Sequence, residues 1–207
     1  MKEKKIRKII FATGNEGKMK EIRMILADLN VEIQSLKEAG IDIDIVEDGK
    51  TFEENAIIKA STVASECDAV VIADDSGLEV DYLNKEPGIY SARYMGEDTS
   101  YHIKNANIIE RLKGVPEEQR TARFVCAIAA FFPEGRIVTT RGIMEGLIAY
   151  EEHGENGFGY DPIFYLPKYK CTTAELTSEQ KNLESHRGKA LREMKRELDR
   201  YEDSNSK

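Results

Sequence analysis

Ala69-Val70-Val71-Ile72-Ala73-Asp74-Asp75-Ser76-Gly77 decides the fold. Its first five residues are apolar without alternation, the pattern of a central strand covered on both faces. Two acids follow at once. Upstream, Thr51-Phe52-Glu53-Glu54 has the capping-box pattern, and Ala56, Ile57, Ala60, Val63 and Ala64 continue it as a helix. Further upstream, Ile9-Ile10-Phe11-Ala12 reads as a buried strand stopped by Thr13-Gly14-Asn15, and Ile22, Ile25, Leu26 and Leu29 recur at helical spacing. Val31 to Leu36 and Ile41 to Val46 alternate, as strands or extended segments do.

Downstream, Leu78 to Leu83 alternates again, and a helix is expected from about Ser100 to Lys113, ended by Gly114 and Pro116. Phe124 to Phe132 and the residues from Ile137 onward flank the turn Pro133-Glu134-Gly135, a hairpin that makes the sheet mixed. A last helix starts near Thr177, with a polar, frayed tail from Tyr201. The whole reads as one α/β domain over residues 1–207, with no repeat or linker.

At 207 residues the chain can bury a substantial core. Charged residues make up 33% of it and the net charge is -8, which argues against a long nucleic-acid partner but not against a single nucleotide. Cys67, Cys126 and Cys171 are odd in number and far apart, so a disulfide framework or zinc site is not expected and a cytoplasmic setting fits. The apolar stretch after the basic residues 1–8 is too short for a signal peptide, and no run is long enough to span a membrane.

Several segments carry chemistry. Thr13-Gly14-Asn15-Glu16-Gly17-Lys18 lies between a strand and a helix, where backbone N–H groups and a lysine make a phosphate cradle. An ordinary strand-to-helix turn with a solvated lysine explains it equally well. It is not a Walker loop, because only two residues separate Gly14 from Gly17 and Met19 stands where a metal-binding hydroxyl would follow. Asp74-Asp75 suits a hard cation at a strand end, against the alternative of an acidic surface turn. Glu47 could add a metal oxygen or sit in a solvated turn, and Glu54 fits best as the capping partner of Thr51. In Gly157-Phe158-Gly159-Tyr160-Asp161-Pro162 an aromatic sits between glycines, as a base-stacking loop or a rigid turn with an aromatic plug. On one unbroken helix Lys181 and His186 would point about 140° apart and Lys181 and Arg187 about 240°, so one ligand meets all three only if the helix breaks. The three histidines show no zinc spacing, which leaves carboxylate-bound Mg2+ as the better reading.

Together these segments resemble the inosine triphosphate pyrophosphatase family, which hydrolyses non-standard purine nucleoside triphosphates. The matching stretches are Ala12 to Lys18, Gly49 to Ala56, Ala73 to Leu78, Pro87 to Arg93, Gly157 to Pro162 and Ser185 to Gly188, in the family order. The resemblance implies an elongated, two-lobed fold around a long curved mixed sheet, with flanking helices, a central cleft and a homodimeric state. It implies that Thr13, Gly14, Asn15, Glu16, Gly17 and Lys18 hold the triphosphate, and that Asp75 is the catalytic base and, with Glu47, a ligand of Mg2+. Ser76 would touch the substrate, Phe158, Gly159, Tyr160 and Asp161 would line the base pocket, and Lys181, His186 and Arg187 would read the purine and finish the grip. Val46 stands where the family often has the first of two acids, leaving Glu47 alone there. The implied reaction releases pyrophosphate and a nucleoside monophosphate from ITP, dITP or XTP, cleansing the nucleotide pool. A related family of septum-formation inhibitors matches these motifs poorly, and a nucleotide sensor without turnover would not need the Asp74-Asp75 pair.

Overall fold

The chain runs through β1 (Lys8–Phe11), α1 (Glu16–Ile25), β2 (Glu32–Ser35), α2 (Leu36–Ala39), α3 (Phe52–Ala64) and β3 (Val70–Val80). It continues with β4 (Glu86–Pro87), α4 (Tyr101–Arg111), β5 (Thr121–Phe131) and β6 (Ile137–Ile148). Then come β7 (Phe164–Leu166), β8 (Cys171–Thr172), α5 (Ser178–Glu184) and α6 (His186–Asn205). This is a computed structural model, and it describes residues 6, 8–29 and 31–205. Most of the basic N-terminal stretch therefore lies outside the described residues.

The hydrogen-bonded strand order is β2-β1-β3-β5-β6-β7-β8, with β4 on β3. β1 is parallel to β2 and β3, whereas β4 on β3, β7 on β6 and β8 on β7 are antiparallel, so the sheet is mixed as the hairpin predicts. The fold is α/β. The chain packs as two compact units: residues 1–75, 126–142 and 187–207 in the first, and 76–125 and 143–186 in the second.

In the first unit, strand alternation sorts side chains onto two faces. Ile9, Phe11, Val70, Ile72, Cys126, Ile128 and Ala130 form one face, packed against Met19 and Ile22 of α1 and Ala190, Leu191 and Met194 of α6. Ile10, Ala12, Val71, Ala73 and Ala129 form the other, packed against Ala56, Ala60 and Val63 of α3. Each fully buried isoleucine, such as Ile9 or Ile72, stabilises the fold by roughly 1.5–3 kcal/mol. The small alanines let α3 approach the sheet closely. The second unit has its own core, in which Leu78, Val80, Ile108, Leu112, Phe124, Ile148, Ile163 and Phe164 meet.

Three expectations change. β3 does not end at Ala73 but runs on through Asp74, Asp75, Ser76 and Gly77 to Val80, because both acids find buried cationic partners and no turn is needed. Ile41 to Val46 joins no strand, and Ile41, Ile43 and Ile45 pack on the α3 side of the sheet. The expected helix from Thr177 is two helices: the backbone leaves the helical region at Ser185 (φ -62°, ψ 148°) and α6 starts at once after it. Tyr201 is not a frayed tail residue; it is buried, with its ring 4.3 Å from Phe132 and its hydroxyl donating to Glu134 Oε2 at 2.8 Å.

No helix among the described residues is long and apolar enough to cross a membrane. All three cysteines are free thiols.

Candidate active site

Asp74 and Asp75 are neighbours in sequence but sit on opposite faces of β3, as strand periodicity requires. Each face supplies its own cations. Asp74 continues the α1–α6 face and is 1% exposed. Its Oδ2 lies 3.0 Å from Lys18 Nζ of α1 and 3.4 Å from Nε and Nη2 of Arg187 in α6. Arg187 also donates to Glu21 of α1. Burial alone would raise the Asp74 carboxyl, but Lys18 and Arg187 overcome it and hold the group well below the usual carboxylate range. Arg187 is correspondingly raised by Asp74 and Glu21 against its own desolvation.

Asp75 continues the α3 face. Lys59 Nζ stands 3.4 Å from Asp75 Oδ1 and 3.0 Å from Glu47 Oε2, so one ammonium joins two carboxylates. Asn55 Nδ2 donates to Asp75 Oδ2 at 3.0 Å. Burial pushes the Asp75 carboxyl above its ordinary value, with Lys59 and Asn55 pulling the other way. Lys59 is held above the usual ammonium range, because Asp75, Asp74 and Glu47 outweigh its desolvation. Asn55 and Lys59 lie one turn apart on α3 and so present an amide and an ammonium to the same carboxylate.

Among the described residues no three carboxylate, histidine or cysteine side chains gather as a complete metal cage. The Glu47–Asp75 pair nevertheless suits Mg2+, which is commonly held by one or two carboxylates and completed by substrate phosphates and water. The place where Lys59 bridges the pair is already one that a cation occupies.

The Thr13 to Lys18 segment opens α1. Asn15 caps the helix: its side-chain oxygen accepts from Lys18 N at 3.0 Å, and Thr13 Oγ1 accepts from Asn15 N at 3.2 Å. Gly14, Asn15, Glu16 and Gly17 are exposed. A Cβ added at Gly14 would meet nothing within 4 Å, so packing inside the protein does not require glycine there. Lys18 is neither a free nor a purely solvated lysine; it is anchored on Asp74 from a helix whose N–H groups face outward at its start.

The remaining expected residues belong to the second unit. Asp161 is buried, and three donors surround its carboxylate: Phe158 N at 2.8 Å and Lys181 Nζ at 2.7 Å on Oδ2, and Thr173 Oγ1 at 2.8 Å on Oδ1. Gly157 makes this possible, since at φ 77° its missing Cβ would stand 2.2 Å from Asp161 Oδ2. Lys181 Nζ also lies 4.7 Å from the centre of the Phe158 ring. Phe158 is 36% exposed, whereas Tyr160 is a buried plug whose hydroxyl donates to Ser91 O. Asn105 Nδ2 reaches Gly159 O at 3.3 Å. His186 stacks on Phe124 with ring centres 4.9 Å apart. Ser76 is half-buried within β3.

Three residues in contact with the candidate site escaped the sequence reading. Asn55 and Lys59 carried a signal: polar residues at i and i+4 on a helix face otherwise made of Ala56 and Ala60. Thr173 carried none. Glu54 is a partial correction: its N–H does receive the Thr51 cap, but its side chain takes Lys50 N at 2.6 Å rather than the Thr51 backbone.

Known proteins resemble this chain over most of its length. The sequence profile of the Ham1 family matches residues 9–197. A dITP/XTP pyrophosphatase of Clostridium perfringens is 50% identical over 199 residues, covering 93% of this chain and 98% of the relative. A dITP/XTP pyrophosphatase of Desulforamulus reducens is 48% identical, with 93% and 96% covered. The Ham1 protein of Staphylococcus aureus superimposes with a TM-score of 0.84 at 42% identity, over 93% of this chain and 98% of that one. The HAM1 protein of Coxiella burnetii gives 0.85 at 38%, over 94% and 100%.

Proposed function

Since the chain belongs to the Ham1 family, we propose that it hydrolyses non-standard purine nucleoside triphosphates, dITP and XTP among them, to the monophosphate and pyrophosphate. The observation that carries this is Asp75: a buried carboxylate raised by desolvation, fixed at both oxygens, and paired with Glu47 across one cationic position.

Asp75 takes the proton from the water that attacks the α-phosphorus, and a raised carboxyl is a better base than an ordinary one. Glu47 and Asp75 would hold Mg2+, which would neutralise phosphate charge and polarise that water. The N–H groups at the start of α1, with Asn15 and Lys18, hold the phosphate chain. In the second unit Phe158 offers a face to the base, Lys181 donates to a 6-oxo group, and Asp161 accepts from ring N–H groups. Adenine presents a 6-amino group and an N1 lone pair, which leaves those groups unmatched at roughly 1–3 kcal/mol per lost contact. A cytoplasmic homodimer fits a pool-cleansing role and is part of the same proposal.

Product analysis over a panel of nucleoside triphosphates tests the reading. Pyrophosphate and monophosphate are expected from dITP, XTP and ITP, with ATP far slower. Binding without any product would make the protein a sensor. Exhaustive chelation should abolish turnover and Mg2+ or Mn2+ should restore it; full activity in chelator would remove the metal. The rate should be lost on the acid side, where a carboxylate base is protonated.

Lys18→Ala is expected to reduce kcat/KM by about 10- to 1,000-fold, the range for losing a charge-assisted phosphate contact. It also removes one of the cations on Asp74, so thermal unfolding must be followed alongside. Unchanged kinetics in the folded variant would return the loop to an ordinary turn.

A further inference from the structure

Asn55 belongs to none of the roles assigned above, yet it is fully buried and uses both ends of its carboxamide. Nδ2 donates to Asp75 Oδ2 at 3.0 Å, and Oδ1 accepts from Gly49 N at 2.9 Å. Gly49 lies two residues after Glu47. The approach is close enough to dictate the residue: a Cβ at Gly49 would stand 2.6 Å from Asn55 Oδ1, 2.8 Å from Glu54 Cβ and 2.9 Å from Asn55 N. Neighbouring bonds reinforce the clamp, with Lys50 N on Glu54 Oε2 and Glu54 N on Thr51 Oγ1.

Lys59 also links Glu47 to Asp75, but through charge. A divalent cation held by these carboxylates would take the place of the Lys59 ammonium. The Asn55 bonds use Asp75 Oδ2 and a backbone N–H and do not run through Lys59. Resting on the metal-dependent hydrolase reading, we propose that Asn55 is a positioning residue whose carboxamide ties the Glu47–Gly49 segment to Asp75 and sets the spacing of the two carboxylates for a divalent cation.

The test uses Asn55→Leu, which removes both hydrogen bonds at similar volume, and Gly49→Ala, which forces the segment off the start of α3 while leaving every α3 residue unchanged. Mn2+ binding to the nucleotide-free protein is followed by electron paramagnetic resonance, kcat and KM are measured for dITP, and folding is checked by thermal unfolding. In both variants Mn2+ affinity and kcat are expected to fall by about 10- to 100-fold, the scale for losing a partner that orients a metal ligand. KM for dITP should move far less, since neither residue belongs to the phosphate or base contacts. Should Asn55→Leu fail to fold, Gly49→Ala decides alone. Mn2+ affinity and kcat both within about twofold of the parent in a folded variant would make Asn55 a packing residue and overturn the proposal. The arms separate the two ideas: an unmutated protein that binds Mn2+ but leaves dITP intact fails as a hydrolase, while its Mn2+ affinity against the variants still judges the tether.

Discussion

Asp75→Asn should lower pyrophosphate release from dITP by at least about 100-fold, the usual scale for losing a general base. The substitution keeps the shape of the side chain and leaves an oxygen to accept from Asn55. It removes the proton acceptor and one metal charge. Folding should change little, because burial already opposes the charged form of Asp75 and the neutral amide relieves that cost. Lys59 keeps Glu47 as a partner. Nucleotide should still bind, since the start of α1 and the Phe158–Asp161–Lys181 group are untouched. Paired measurement of pyrophosphate release and of calorimetric binding checks this. A fully active variant would move the base to Glu47, since Asp74 lies on the other face of β3.

The largest effect on stability is expected at Arg187→Met. The substitution leaves a buried Asp74 and a half-buried Glu21 without their guanidinium, although Lys18 still reaches Asp74. Breaking a buried ion pair from one side costs roughly 3–5 kcal/mol, which corresponds to a fall in Tm on the order of 10 °C for a chain of this size. A pH signature accompanies it. Asp74 is depressed in the folded state, so it contributes stability above the unfolded carboxylate range near about pH 4, and that contribution is lost as pH falls toward its folded value. Arg187→Met should therefore flatten the acid limb of the stability profile as well as lower its plateau. Equal acid sensitivity in parent and variant would refute the assignment of that limb to this pair.

The sequence reached β3, both flanking helices and the hairpin because each has a strong local pattern. It ended β3 at Ala73 because two successive acids look like a turn to any reading that prices isolated charge. What makes them strand residues is distant: Arg187 lies 113 positions beyond Asp74. The same limit hid the separation of the acids onto two faces, which needs only the strand to continue. Glu47 was legible as a candidate oxygen ligand, but its connection to Asp75 runs through Lys59 and Asn55, whose meaning appears only once α3 is laid on the sheet. The break at Ser185 was equally invisible, since nothing in Lys181 to Lys189 forbids a continuous helix. It gives His186 to the second unit and Arg187 to the first.

The first unit is assembled from three separated stretches of chain, and this has a consequence during synthesis. The α3 face, with Asp75, Asn55, Lys59 and Glu47, draws almost wholly on residues before position 76 and needs little more than β5 to be covered. The other face waits for Ala190, Leu191, Met194 and Leu198. At translation rates of about 5–20 residues per second, a nascent chain holds Val70, Ile72 and Phe11 without their final cover for several seconds. Ribosome-stalled or prematurely terminated products that end before α6 would therefore carry the Glu47–Asp75 half of the site, an uncovered apolar sheet face and an Asp74 lacking its arginine, and they are natural clients for chaperones and proteases.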